Sequence, residues 1–383
     1  MTIPAGDAAV DVDVVVVGGG PAGSCAAIVA ARAGLSVVLL ERGPFPGSKN
    51  MYGGVVYPRI LDDLIPNWWE EAPIQRWVTR RSTMLLTDTQ ALTVDFRSEA
   101  WGAPPYNGAT AFRPDWDHWL AGLYEHADAK HFTLGVKETL ALPKEVIDER
   151  FAVRERHGVD IEILGGTGKV NGGGFLYTGL DTVAVGVVLK LPKLAAQQQR
   201  PEQLIAGLKA HPAIAPLVQG AELKEYSAHL IPEAGLKMMP KMTTAGMLVA
   251  GDAAALCLAA GIWLEGVNFA MASGMYAGEA AAEAIQAGDV TENGLRGYQR
   301  RISDTFVLKD HRKLHRAPEL VLSDRVQHLY PTMVANVVER MFHVDNPNPK
   351  PGVRRILAQE RKKAGVRRRD LLRDGWTGFR SFG

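Results

Sequence analysis

Three glycines, Gly18, Gly20 and Gly23, close the run Asp13-Val14-Val15-Val16-Val17-Gly18-Gly19-Gly20-Pro21-Ala22-Gly23, and a carboxylate, Glu41, ends a second apolar run downstream. Residues of these types at this spacing can hold a pyrophosphate and a ribose. Gly18 permits a tight turn, Gly20 lets the backbone approach phosphate oxygens, and Gly23 lets a helix pack closely on a strand. The phosphates then sit on the free amides of a helix that opens at Pro21 and Ala22. Glu41 can accept both ribose hydroxyls of an adenosine, with Arg42 beside it as a further contact.

The elements needed to position these groups are present in register. Val14 to Val17 reads as a buried parallel strand, Pro21 to Ala33 as an alanine-rich helix, and Gly34 as its stop. Ser36 to Leu40 reads as the second strand, ending at Glu41. A bare three-glycine match is a weak signal, because a glycine-rich turn need hold no ligand. Strand, turn, helix, strand and acid within one unit point to a bound dinucleotide.

The chain has 383 residues, 46% hydrophobic and 22% charged, which fits a globular protein of two or three domains and excludes a disordered or fibrous one. Its formal net charge is +1, but from Val353 onward ten Lys or Arg stand against Glu360, Asp370 and Asp374. That tail wants an acidic partner or surface. No stretch is long and apolar enough to span a bilayer, and no positive region precedes an apolar segment at the start, so a cytoplasmic protein is expected. Nucleic acid is not an expected partner. The two cysteines, Cys25 and Cys257, lie in small apolar contexts and read as buried thiols rather than a disulfide. Two cysteines also cannot ligate a four-cysteine iron–sulfur cluster.

Along the rest of the chain a Gly/Pro-rich loop runs from Gly43 to Pro58, and Arg113 to Ala127 reads as a helix with Trp116, Trp119, Leu120 and Leu123 on one face. His131 to Leu142, Phe151 to Leu164 and Phe175 to Leu191 are candidate strands of an antiparallel sheet. Gln203 to His211 reads as a short helix, Tyr226 to Ile231 as a strand, and Met247 to Ala250 as a buried strand running into Gly251-Asp252-Ala253-Ala254. A small-residue helix from Gly266 to Ala287 follows, and the remainder is predominantly helical. Its amino end, at Gly266, Val267 and Asn268, would present free amides and the positive end of a helix dipole.

Taken together, the first turn, Phe112-Arg113-Pro114-Asp115 opening a helix, and Gly251-Asp252-Ala253-Ala254 resemble the glutathione-reductase-type FAD-binding fold of aromatic hydroxylases, geranylgeranyl reductases and electron-transfer flavoprotein:quinone oxidoreductases. The resemblance spans nearly the whole chain. It implies an α/β fold: a Rossmann-like FAD-binding domain, an inserted antiparallel β-sheet substrate domain, and a helical C-terminal region. The divisions expected are 1–129 with 238–290, then 130–237, then 291–383. The same resemblance implies that Arg113 contacts the pyrophosphate side of FAD and that Asp252 accepts a hydrogen bond from the ribityl chain. Read alone, Arg113 suits phosphate oxygens or a surface ion pair with Asp115 or Asp117, and Asp252 suits a ligand or a helix N-cap. Gly266 and Asn268 would bring the helix amino end to the pyrimidine side of the flavin, where negative charge collects on reduction.

Three further segments narrow the resemblance. Gly47-Ser48-Lys49-Asn50-Met51-Tyr52-Gly53-Gly54, Gly172-Gly173-Gly174-Phe175-Leu176-Tyr177-Thr178, and Gly261 to Ala272 with Ala253 to Leu258 look like the FixC branch, short relatives of the electron-transfer flavoprotein:quinone oxidoreductases. That implies an FAD-dependent oxidoreductase that takes electrons from an electron-transfer flavoprotein and passes them toward quinone and a low-potential ferredoxin-like protein on a separate chain. The cysteine count agrees. Second in rank stands a geranylgeranyl-reductase-like flavoprotein that saturates isoprenoid double bonds, then aromatic monooxygenation, and outside enzymes a flavin-binding scaffold subunit.

One departure from the family pattern is large. After the Arg113 helix the family carries a strand pair and an Ala-Asp-Gly motif, whereas His126-Ala127-Asp128-Ala129 runs straight into Lys130-His131-Phe132-Thr133. The shortfall is on the order of forty residues, one strand pair and a connecting strand with usual loops. An omitted stretch predicts Ala129 and Lys130 much farther apart than the ~3.8 Å of a trans bond.

No catalytic acid, base or nucleophile stands out and no metal-ligand cluster is present, which suits electron transfer carried by a cofactor. His131, His157 and His229 read as ordinary surface or core residues, and the run from His311 to Arg316 as a solvated helix face that could dock an acidic partner. The tryptophan-bearing stretch from Ile60 to Trp69 is the candidate for peripheral contact with the inner face of a membrane, although Asp62, Asp63, Glu70 and Glu71 oppose anionic lipid.

Overall fold

The computed structural model describes residues 12–48, 50, 53–122, 135–190, 194, 197–229, 236, 239–261, 264–345 and 348–382. Strand β1 (Val14–Val17) pairs in parallel with β2 (Val37–Leu40), Val14 opposite Val37 and Val17 opposite Leu40, through the crossover helix α1 (Pro21–Arg32). Proline in the first turn and a basic residue in the last suit the two ends of that helix. Gly34 continues from it at φ 85°, a conformation that favours glycine.

A 20-residue helix spans Val267–Gln286 and lies along α1. Glycines set the approach: a Cβ on Gly274 would stand 1.9 Å from the carbonyl oxygen of Ala22, and one on Gly278 2.6 Å from that of Ala26. The alanine-rich composition of both helices is therefore a requirement of contact at backbone distance, not only of helix propensity.

The second body is a nine-stranded sheet. It comprises β3 (Gly53–Val56), β4 (Ile74–Leu86), β5 (Ala91–Arg97), β6 (Ala109–Phe112), β7 (Gly135–Ala141), β8 (His157–Leu164), β9 (Gly172–Thr178), β10 (Thr182–Leu189) and β11 (Glu222–His229). The order is β11-β7-β10-β9-β8-β4-β6-β3, with β5 added on β4. Every neighbouring pair is antiparallel except β4 with β8, so the expected antiparallel sheet is a mixed one. Four of its strands come from residues 53–112, N-terminal to the block in which the sequence pattern suggested a sheet. The single strand expected from Phe175 to Leu191 is a hairpin, closed where the Gly179 amide donates to the Thr182 carbonyl at 2.7 Å.

The two faces of this sheet have different tasks. Val136, Leu140, Ile161, Ile163, Leu176, Val183, Val185 and Val187 form the main core with Leu204, Ile205 and Leu208 of the helix Pro201–Ala210. The alternate positions Val55, Phe175, Tyr177 and Ala184 cluster on the other face, which turns toward the first body. Beyond Ala287 the described chain is helical: Arg296–Asp304, Phe306–Leu314, Ala317–Val321, Tyr330–Phe342, Val353–Lys363 and Arg368–Phe382.

Three expectations are corrected. The stretch from Ile60 to Trp69 is core rather than surface: Leu61 and Trp68 are buried, and Trp68 makes edge contacts with Trp69, Trp77 and Trp116 at 5.8–6.1 Å between centroids. It packs on Cys25 and Ile28 of α1 and on Met271 and Met275 of the long helix, so it offers no membrane face. Within the expected buried strand at 247–250 only Met247–Leu248 is extended, paired with Thr243–Thr244, and Met247 is exposed. Finally, the 311–316 run is not wholly solvated, because His311 and Leu314 are buried while Arg312, Lys313, His315 and Arg316 face out.

The parallel sheet is narrower than its sequence suggests. Among the described residues β1 has one partner, and its outward valines Val15 and Val17 are 55% and 76% exposed. Ala129 and Lys130, whose spacing would report an omitted stretch, lie outside the described residues. Val15→Thr and Val17→Thr are expected to change stability by less than about 0.5 kcal/mol, against ~2–5 kcal/mol for Leu39→Ala in the core. Denaturant unfolding measures this, and a loss above about 1 kcal/mol from either valine would show the edge to be covered.

Candidate functional site

A cavity of about 1110 Å³ lies between the first turn, the sheet and the segment from 246 to 268. It exceeds the ~300–1,000 Å³ of ordinary small-molecule pockets, as an extended dinucleotide requires. Gly18, Gly20, Pro21, Ala22, Gly23, Glu41 and Arg42 line one end, and Arg113, Asp252, Gly266 and Asn268 line it farther along. All eleven residues singled out by the sequence thus open onto one cleft.

The first turn is shaped as the glycine spacing demands. Gly18 has φ 106° and donates its amide to the Leu40 carbonyl at 2.8 Å. A Cβ on Gly23 would stand 1.8 Å from the Gly18 carbonyl oxygen, so only glycine fits there. The N-cap Gly20 supplies no side-chain cap and the first turn of α1 holds no acid, so its amides and dipole are not committed to an internal carboxylate. From Glu41 one carboxylate oxygen accepts the Gly43 amide at 2.7 Å, which orients the group at the end of β2.

Arg113 forms the ion pair with Asp117, buried rather than at the surface. It is the first residue of α2 (Arg113–Gly122), and its guanidinium donates in bidentate fashion to Asp117 at 2.6 and 2.8 Å. Asp117 is fully buried and also accepts from Asn50 at 2.9 Å. The same guanidinium stands 4.0 Å from where a Cβ on Gly20 would be, so the ion pair holds it against the first turn. The fork to Asp117 engages two of its five N–H groups.

The helix Val267–Gln286 opens into the cavity with Gly266 as an uncapped N-cap and no acid in its first turn. Asn268 is 8% exposed; its amide nitrogen donates to Glu265 at 2.6 Å, and its Oδ1 has no hydrogen-bond partner among the described residues. An orphaned buried acceptor beside free helix amides fits a bound polar ring. Asp252 sits in the short 3₁₀ turn Gly251–Ala254, and Gly251, at φ 64°, donates its amide to Ser273 at 3.0 Å.

The sheet and the residue that follows β3 contribute side chains that the sequence did not single out as site residues. Tyr57, Phe175, Tyr177 and Lys137 face the cavity from above, Phe175 and Tyr177 stacked at 4.7 Å. Lys137 on β7 is 5% exposed, and its Nζ has no hydrogen-bond acceptor among the described residues, with Glu225 at 3.9 Å. Burial pushes its ammonium down to about 8. Behind Tyr57, Arg81 pairs with Asp160 at 3.0 Å and Glu162 at 3.1 Å, and burial raises both carboxyls. No group of His, Cys, Asp or Glu suited to a metal occurs among the described residues.

Known proteins similar to this chain identify its family. The sequence pattern of FAD dependent oxidoreductases matches residues 13–108, and that of the ETF-QO/FixC family C-terminal domain matches residues 317–383. A probable electron transfer flavoprotein-quinone oxidoreductase, YdiS, of Escherichia coli K12 is 33% identical over 422 aligned positions, covering 96% of this chain and 98% of its own. Protein FixC of Salmonella typhimurium is 30% identical with the same coverage. Because 422 aligned positions exceed the 383 residues here, at least 39 positions of each relative have no counterpart in this chain. Among solved structures, a geranylgeranyl bacteriochlorophyll reductase-like protein of Thermoplasma acidophilum aligns with TM-score 0.63 at 19% identity, over 95% of this chain and 99% of its own. The flavin-dependent halogenase CmlS aligns at 0.58 and 15%, over 93% and 77%. At those identities the likeness concerns the fold.

Arg113→Met is expected to weaken FAD retention about tenfold or more, the worth of one charge-assisted hydrogen bond. Asp117→Asn should act in the same direction by loosening the fork. Flavin absorbance per chain after dialysis reads both, and unchanged retention in Arg113→Met would remove that residue from the phosphate site.

Proposed function

Because the chain belongs to the ETF-QO/FixC family of FAD-dependent oxidoreductases, we propose that it accepts electrons from an electron-transfer flavoprotein and delivers them to quinone, with a separate ferredoxin-like protein as a further redox partner. The observation that carries this reading is the single cavity that joins a phosphate turn and an uncapped helix terminus to an aromatic roof. Bound FAD supplies the redox chemistry; the chain's own residues bind, orient and exclude water.

In this reading the α1 amides and Arg113 hold the pyrophosphate, Glu41 and Arg42 the adenosine ribose, and Asp252 the ribityl hydroxyls. The amides at Gly266 to Asn268, with the helix dipole, favour negative charge at the pyrimidine edge. Tyr57, Phe175 and Tyr177 form an apolar wall suited to a flat quinone ring. Lys137, the one lysine among the described cavity-lining residues, is placed to donate a hydrogen bond to a carbonyl oxygen. The two cysteines support a separate carrier for any iron–sulfur centre, since Cys25 is buried within α1. Saturation of isoprenoid double bonds has a fold likeness alone behind it.

Purified protein is expected to be yellow and to be reduced rapidly by a reduced electron-transfer flavoprotein but not by NADPH. Stopped-flow absorbance distinguishes the two, and efficient reduction by the nicotinamide would overturn the proposal. A second expectation concerns pH. With an ammonium near 8, quinone reduction should fall as pH rises through about 8. Lys137→Arg should move that limb upward, and Lys137→Met should abolish it along with most of the rate. The same burial costs folding stability at neutral pH, a cost relieved as pH climbs from about 8 toward 10.5, where the unfolded chain binds the extra proton.

A further inference from the structure

Two acids on β8 share one guanidinium. Asp160 and Glu162 alternate onto the cavity side of the sheet, where the residues opposite them on β9 are the cavity-lining Tyr177 and Phe175. Both acids are almost fully covered, at 1% and 5% exposed. Arg81, opposite Asp160 on β4, donates to Asp160 at 3.0 Å and to Glu162 at 3.1 Å. Each carboxyl group gives Arg81 one oxygen, and the other, Asp160 Oδ1 or Glu162 Oε2, has no hydrogen-bond partner among the described residues.

Two buried carboxylates against one guanidinium would leave a negative charge with no counter-ion, and a group so costly to ionise takes up a proton instead. The remaining titratable groups do not supply a second cation. They are Tyr57 beyond β3, Tyr177 on β9, and Glu265 ahead of the long helix, with Asp310 behind Glu265. Burial raises both carboxyls, and Glu162 is raised further by the Asp160 charge.

The sheet order sets this pair across the roof from Lys137. Lys137, Gly186, Phe175 and Glu162 lie in one row over β7, β10, β9 and β8, so ammonium and acid stand three strand spacings apart, roughly 14 Å, with Phe175 between them. That is too far for an ion pair. It suits a flat ring that carries an oxygen on each of two opposite edges. Between the acids and the cavity lies Tyr57, which lines the cavity and has the Arg81 guanidinium 5.8 Å from its ring centre. Burial pushes its phenol up, so it can pass a proton on without keeping the anion.

We propose that Asp160 and Glu162 hold one shared proton and release it through the Tyr57 hydroxyl to the quinone oxygen that Lys137 does not serve; this rests on the function proposed above. Quinone becomes quinol by gaining an electron pair, supplied by the bound flavin, and two protons, one from the Lys137 ammonium and one from the pair. As the carboxyl O–H bond breaks, its proton goes to the Tyr57 oxygen while the phenol proton goes to the quinone oxygen, so Tyr57 ends unchanged. The acids are left doubly ionised on Arg81 and regain their proton from water, which reaches the pair where the Arg81 side chain is 23% exposed. Lys137 regains its own from water as well.

Infrared difference spectra of the holoprotein at neutral pH, in light and heavy water, read the stored proton through the C=O stretch of an un-ionised carboxyl group. Asp160→Asn and Glu162→Gln should each remove that one-proton signal whole, because a single carboxylate on a guanidinium needs no proton. A signal that survives in either variant would show an acid protonated by burial alone and overturn the sharing. Stopped-flow oxidation of the reduced protein by a short-chain benzoquinone should slow at least about tenfold in both acid variants and in Tyr57→Phe, with the infrared signal retained in Tyr57→Phe. Ferricyanide takes electrons without protons and so controls for damage to the flavin site. Equal slowing with both oxidants, or a Tyr57→Phe protein that reduces quinone at the wild-type rate, would overturn the relay. Wild-type protein oxidised by ferricyanide but by no quinone refutes the functional reading instead, and the infrared signal, recorded without quinone, still decides whether the pair shares its proton.

Discussion

The contact on which the rest of the structure depends is the backbone-distance packing of α1 along the helix Val267–Gln286. Ala22 lies against Gly274 and Ala26 against Gly278, so the two helices run in the same direction and point their amino ends into the same cavity. Their starts are staggered. Ser273 lies opposite Pro21, six residues beyond Val267, which at ~1.5 Å per residue displaces the two positive ends by roughly 9 Å. A phosphate bridge at the nearer end and an electron-accepting ring at the farther one would each find free amides. A side chain larger than hydrogen at either glycine would part the helices and lose that stagger.

The sheet answers a different requirement. An isolated parallel pair such as β1 with β2 has little stability of its own, and it cannot close a cavity above the helix ends. The nine-stranded sheet does so by dividing its faces, aliphatic side chains into its own core and aromatic ones with a single ammonium into the cavity. Period-two alternation makes this possible, with Val136 of β7 reaching both the core and the cavity. It also explains why Lys137 is buried at a cost: the position that faces the cavity on β7 is enclosed by neighbouring strands on both sides.

Much of the first strand-turn-helix unit was legible in the sequence, because strand, turn and helix are consecutive and its glycines have local steric reasons. Gly23 and Glu41 follow from spacing alone. The sheet was legible only in part, since β4 and β8 pair across a separation of about eighty residues and no local pattern encodes that register. Tryptophans from Ile60 to Trp69 misled for a physical reason: an apolar run with aromatic residues has the same composition in a core and in a membrane interface. Burial of Trp68 against three other indoles decides between them, and burial is a tertiary property. Lys137 was invisible because a lone cation in a strand is ordinary on an open sheet edge and unusual only once both neighbours are known.

The open edge of β1 and the C-terminal helix Arg368–Phe382, which exposes Leu372, Trp376 and Phe379 and buries Asp370 and Asp374, are two forms of the same departure, apolar side chains left where water is. They differ in what surrounds them. Val15 and Val17 stand on a strand with an unpaired hydrogen-bonding edge among the described residues, on a wall of the same cavity that the segment 246–250 lines from another side. Relatives carry at least 39 positions that this chain lacks, enough for several strands of ordinary length with their loops. A strand added there would satisfy backbone groups as well as cover valines, so main-chain pairing is the natural complement of that edge. The stripe on the last helix has no unpaired backbone to satisfy, because its hydrogen bonds are internal. What it offers is apolar area bordered by cations, with no hydrogen-bond register to match. Strand edge and helix face therefore call for chemically different partners, and a substitution that relieves one leaves the other unchanged.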